Sequence, residues 1–172
     1  MITLRGLILL LLFSLPAKLP AQTGEQEANL KAAFIYNFTR YIEWETDNDK
    51  NDFIIGVVGN SPITQSLIEI AKNNTVRNKR LVIKQYATAE DIQYCHILFI
   101  SKKSELPLQQ VLDRTGKGTL TIGEENGFAK LGTAFNFIII NDKLKFEANL
   151  KSIYSAGLKA SSQLLKLAVI VD

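Results

Sequence analysis

The segment Phe53-Ile-Ile-Gly-Val-Val-Gly-Asn-Ser-Pro62 reads as a strand, a turn and the opening of a helix. Residues 53–58 are β-branched and apolar at almost every position, the pattern of a strand covered on both faces. Gly59-Asn60-Ser61-Pro62 then turns the chain, with Ser61 as candidate N-cap and Pro62 at the first helical position. The helix is expected to reach Lys72 and to bury Ile63, Leu67, Ile68 and Ala71. A buried strand feeding such a helix is the repeating unit of parallel sheets.

The same grammar continues downstream. Residues 81–86 and 97–100 read as strands, 106–114 as a helix ending at Gly116, and 120–122 as a fourth strand. Residues 134–140 make a fifth. Asn141-Asp142 is a two-residue turn into 143–148, where Leu144 and Phe146 alternate with lysines. Helix 150–156 follows, with Asn149 placed to cap its start and Gly157 its end. A last helix, 162–167, has Ser161 and Ser162 as candidate caps. Upstream, residues 29–44 read as one helix whose stripe is Leu30, Phe34, Phe38 and Tyr41, widened by Ile35 and Ile42. The sum is an α/β single domain. Its mostly parallel sheet of about six strands is flanked by helices and followed by a C-terminal β-hairpin and helices.

Length and composition agree with one globular domain: 172 residues, 47% hydrophobic and 22% charged, with 10 Gly and 4 Pro. Disordered and low-complexity classes are excluded. Arg5 precedes an apolar run at 7–13, far short of the roughly 20 residues needed to cross a bilayer. Pro16, Ala17, Pro20 and Ala21 follow, so residues 1–21 read as a signal peptide and 22–172 as the exported domain. Removing Arg5 and Lys18 leaves 18 basic against 17 acidic residues, a charge of about +1. A near-neutral surface offers no nucleic-acid footprint. Cys95 is the sole cysteine and has no intrachain disulfide partner.

No catalytic constellation emerges. His96 is the only histidine, and beside Cys95 in a strand it points to the opposite face, so the two make no nucleophile–base pair. One Cys and one His make no zinc site, and no cofactor is expected. Glu124-Glu125 reads as a solvated pair of acids. Gly116-Lys117-Gly118-Thr119 resembles part of a phosphate loop, but it follows a helix and precedes a strand, the reverse of the required order. Gly59, Asn60 and Ser61 lie where open α/β sheets bind ligands, which makes them candidates for a small-ligand site.

Two surfaces stand out. Tyr36, Arg40 and Trp44 recur every four residues on the side of the first helix away from its stripe, as a dimer interface would; the alternative is that Trp44 tucks under the following loop. Glu147 points opposite to the inward Phe146. With Asn149 and Gln163 it forms a candidate partner-binding patch, although Asn149 also suits a purely capping role.

Several segments, taken in order, resemble the YfiR family of small periplasmic proteins. They are Leu30-Lys-Ala-Ala-Phe-Ile-Tyr-Asn-Phe-Thr-Arg-Tyr-Ile-Glu-Trp44, Ile55-Gly-Val-Val-Gly59 and Cys95-His-Ile-Leu-Phe-Ile-Ser101. Gly127-Phe-Ala-Lys-Leu-Gly132, Phe146-Glu-Ala-Asn-Leu150 and Ala156-Gly-Leu-Lys-Ala-Ser-Ser-Gln-Leu-Leu-Lys-Leu-Ala168 complete the match. The resemblance implies an α/β fold, a homodimer and a non-enzymatic periplasmic role. That role is control of an inner-membrane signalling protein, a diguanylate cyclase or a histidine kinase, by protein–protein contact. The namesake type carries further cysteines that form disulfides, so a lone Cys95 argues against disulfide-based redox control here.

Overall fold

The computed structural model describes residues 20–44 and 52–171. The signal-peptide reading falls almost wholly outside them. In chain order the elements are α1 (Pro20–Phe38), β1 (Ile42–Trp44), β2 (Asp52–Val58), α2 (Ile63–Asn73), β3 (Thr75–Val76) and β4 (Lys79–Tyr86). Then come β5 (Ile97–Ile100), α3 (Leu108–Leu112), β6 (Leu120–Gly123), β7 (Phe135–Ile140) and β8 (Lys143–Asn149). The C-terminal part holds α4 (Leu150–Ser155), β9 (Leu158–Ala160), α5 (Ser162–Leu165) and β10 (Val169–Val171).

Eight strands form one sheet in the order β10-β8-β7-β6-β5-β2-β4-β3, and β1 pairs with β9 separately. Only β7/β8 and β3/β4 are antiparallel in the large sheet. The expected α/β class and parallel character hold, with two short edge strands beyond the six expected. The Asn141-Asp142 turn is as read, both residues adopting positive φ. Arg77-Asn78 makes a second such turn, between β3 and β4, which the sequence reading lacks.

The central strands are buried at nearly every position, β5 and β6 at all four. The main core gathers around Phe38, whose ring lies 4.9 Å from Phe135 and 5.0 Å from Phe146. Gly56 lets β2 approach its neighbours, because a Cβ there would sit 2.6 Å from the Tyr86 ring and 2.8 Å from Leu98 Cδ1.

The first helix departs from expectation in two ways. Its buried stripe is Ala28, Lys31, Ala32, Ile35 and Phe38, while Leu30 and Tyr41 face solvent. It also stops at Phe38 instead of reaching Trp44. Thr39, Arg40 and Tyr41 donate their backbone N–H to carbonyls three residues back, and the Thr39 hydroxyl donates to Tyr36 O at 2.6 Å. These bonds tighten the last turn and end the helix. Ile42, Glu43 and Trp44 then alternate buried, exposed and buried as β1.

Candidate functional site

The strand order reverses at β2, whose parallel neighbours are β4 on one side and β5 on the other. The carboxyl ends of β2 and β5 therefore flank the crevice where open α/β sheets bind ligands. A hollow of about 140 Å3 lies there, lined by Ser61, Ser101, Lys102, Lys31 and Glu124 among others. Glu124, just beyond β6, fills its polar heart. The Ser101 hydroxyl and the Lys102 backbone N–H donate to Glu124 Oε1 at 3.0 and 3.1 Å, and Lys31 Nζ donates to Oε2 at 2.6 Å. The chain's own carboxylate thus takes the place an anionic ligand would occupy.

Glu27 pairs with Lys31 one turn earlier on α1. Burial works against the charged form of Lys31, but its hydrogen bonds to Glu124 and Glu27 outweigh that, and its pKa stands above the ordinary value. The hydrogen bond to Lys31 likewise holds Glu27 below the ordinary carboxylate value. The reading of Glu124-Glu125 as solvated acids holds for Glu125 and fails for Glu124, whose side chain is only 7% exposed and meets three donors. On the stripe that α1 actually buries, Lys31 needs a buried counter-charge, and Glu124 supplies it.

The Gly59–Ser61 turn is built for packing. Gly59 has φ +85°, and a Cβ there would lie 2.9 Å from Ser104 Cα, so only glycine fits. Ser61 is buried, and its hydroxyl accepts from Ile63 N at 3.4 Å, a weak cap. Asn60 is exposed.

His96 is structural. Its Nδ1 accepts the Ile54 backbone N–H at 3.0 Å and its ring stacks on Phe53 at 4.3 Å. Cys95 is fully buried, which pushes its thiol pKa up to about 12. The Cys95 thiol is therefore not poised as a nucleophile at neutral pH.

The triplet Tyr36, Arg40 and Trp44 does not share one face. Trp44 is only 5% exposed; it lies edge-on to Phe53 at 5.2 Å and donates Nε1–H to His96 O at 3.2 Å. The Arg77 guanidinium covers its ring at 5.3 Å. Because Trp44 lies in a strand and not on the helix, it turns into the core, so it is withdrawn as a surface residue. Tyr36 and Arg40 stay together: the guanidinium lies 5.6 Å from the ring centroid, and the phenol donates to Thr75 O.

The second patch also divides. Asn149 is buried, donating Nδ2–H to Ala129 O at 2.8 Å and accepting the Ser152 N–H at 2.9 Å, so it braces α4 and presents nothing to a partner. Glu147, half-buried, accepts from Asn136 Nδ2 at 2.9 Å. Gln163 is exposed on α5. Outermost in the sheet, β10 runs parallel to β8 with Val169 opposite Glu147. Val169, Ile170 and nearby Leu167 are exposed.

A family model described as YfiR/HmsC-like matches residues 28–169, from mid-α1 to the start of β10. The chain belongs to the YfiR/HmsC-like family. Membership of the YfiR/HmsC-like family supports a periplasmic regulatory role in cyclic-di-GMP signalling in general, in a family that is regulatory and not catalytic. A crystal structure of a conserved domain protein from Vibrio cholerae O1 biovar El Tor strain N16961 shares the fold, with a TM-score of 0.55 and 11% identity. The alignment covers 84% of this YfiR/HmsC-like chain and 60% of that one, so the chain spans three-fifths of the solved protein's length. Comparison with curated proteins gives no match. Among the described residues, no helix is long and apolar enough to cross a membrane.

Proposed function

We propose that the protein is a periplasmic regulator that controls a membrane-bound signalling protein, a diguanylate cyclase or a histidine kinase, by direct contact. The carrying observation is the YfiR/HmsC-like match across residues 28–169. The disposition of its chemical groups supports this reading. His96, Glu124 and Asn149 are committed to internal bonds, whereas no described residue covers the outer edge of β10, and Val169 and Ile170 are exposed. An uncovered apolar edge is a surface that another chain can complete. The docking site is this edge with Glu147 and Gln163, and Asn149 braces it from within.

Co-purification with the membrane partner from native membranes tests the assignment. Gln163→Arg and Ile170→Asp should each abolish capture while leaving the thermal melt intact. Capture unchanged in both variants overturns the docking site. Glu147→Lys is a poorer probe, because it also removes the acceptor of buried Asn136.

The homodimer is proposed at the hollow of about 380 Å3 formed by Tyr36, Arg40, Thr75 and Arg77. Arg40→Glu should weaken self-association in analytical ultracentrifugation, and an unchanged dimer constant removes this surface from consideration. A small-ligand module at Gly59, Asn60 and Ser61 is the second reading, favoured by the switch-point crevice beside Ser61. There a ligand must displace the Glu124 carboxylate, so Glu124→Gln should change its affinity.

A further inference from the structure

At the opposite end of β6 from Glu124 lies a cavity of about 580 Å3, walled by the loop before β6, the turn before β7 and helix α4. That volume falls within the roughly 300–1,000 Å3 typical of small-molecule sites. It differs from the switch-point crevice, where Glu27 and Glu124 offset Lys31, Lys102 and Lys103. Here Lys117, Lys130 and Lys151 line the wall, and no carboxylate does. None of the three forms an ion pair with a described residue.

The neutral groups add donors. Thr121 Oγ1 accepts the Ala134 N–H at 2.8 Å, so its hydroxyl proton is left to donate. The hydroxyls of Ser152 and Ser155 bond to no described residue. The Asn149 side chain, already doubly bonded, fixes the α4 end of the wall. Gly118 N–H donates to Ala156 O at 2.7 Å and ties the lysine-bearing loop to the same helix. Three lysines and the hydroxyl-bearing Thr121, Ser152 and Ser155 thus line one concave space that no carboxylate lines.

We propose that this cavity binds a small polyanion, a molecule bearing two or more phosphoryl or carboxyl groups. A concave wall of one sign concentrates potential on its contents, and ammonium groups bind such oxygens through charge-assisted hydrogen bonds. The proposal also accounts for Gly116-Lys117-Gly118-Thr119. Its order, helix before strand, denies it the helix terminus of a phosphate loop, and recognition here runs through side chains instead. The site shares only the buried Asn149 with the docking edge, and the proposal does not rest on the function proposed above.

The test is calorimetric titration of the mature protein with inorganic pyrophosphate and with citrate, alongside co-sedimentation with vesicles containing phosphatidylglycerol. Saturable binding to at least one of the two small anions is expected, weakening as salt is added. Lys117→Ala combined with Lys151→Ala should reduce affinity by about tenfold or more, with an unchanged melting temperature. Lys143→Ala, in the distant β7–β8 hairpin, should leave affinity as it was. No saturable binding of either anion overturns the proposal. So does an equal loss in the Lys143 control, which marks general surface charge, or binding to vesicles alone, which marks a lipid surface.

Discussion

Lys31 and Glu124 lie 93 positions apart in the chain and meet at 2.6 Å, each side chain only 7% exposed. The pair pins the N-terminal helix to the end of a central strand. Removing one member leaves the other charge buried, and the two removals are not equivalent. Lys31→Met strands Glu124 and frees Glu27, and should cost about 3 kcal/mol. Glu124→Gln leaves Lys31 with Glu27 and keeps an acceptor, and should cost about 1 kcal/mol. Urea unfolding of both variants should show that order, and the reverse order would refute this account of the pair.

The same cluster sets a pH window. Lys31 has a raised pKa in the folded chain, so its contribution is complete below its ordinary 10.5 and is lost as pH climbs through the raised value. Glu27 has a lowered pKa; its contribution is complete above 4.5 and is lost as pH falls through the lowered value. Melting temperature against pH should therefore fall less steeply on the acid side in Glu27→Gln than in the natural protein. On the alkaline side the two curves should keep the same sign of slope.

Trp44→Ala should act on the fold. The ring is nearly enclosed, packed on Phe53 and bonded to His96 O, so truncation should cost about 3–4 kcal/mol. Denaturant melts measure that loss. Among molecules that remain folded, the dimer constant should not change.

Cys95 should behave as an inert thiol. It is fully buried with its pKa pushed up to about 12, just ahead of the apolar strand β5. Labelling by a thiol reagent should be slow in native protein and rapid in denaturant. Fast native labelling, or a disulfide-linked dimer on a non-reducing gel, would contradict it.

Where local chemistry determines structure, the residues could be read in advance. The buried strand at 53–58, the turn at Asn141-Asp142, the Asn149 cap and the close at Gly157 each depend on neighbours within a few positions. Trp44 could not be read in the same way. Helical spacing places it on a helix face, yet Thr39 ends that helix and β9, far along the chain, recruits Ile42–Trp44 into a strand. Glu124 was misread for a similar reason: beside Glu125 it looks solvated, and only the folded arrangement brings Lys31 and Ser101 to it. The short edge strands β3 and β10 carry too few residues for periodicity to show.

The small β1–β9 sheet bears on how the protein folds in time. It joins Trp44 to Leu158 across more than a hundred intervening residues, whereas the βα units of the main sheet close over far shorter loops. Loop-closure entropy delays such distant pairings until nearer contacts have formed. Trp44 is the only tryptophan in the chain, and its ring is seated by that late pairing. Its fluorescence in a stopped-flow experiment will therefore report the final closure of the molecule, and circular dichroism, which follows the sheet and helices, will lead it.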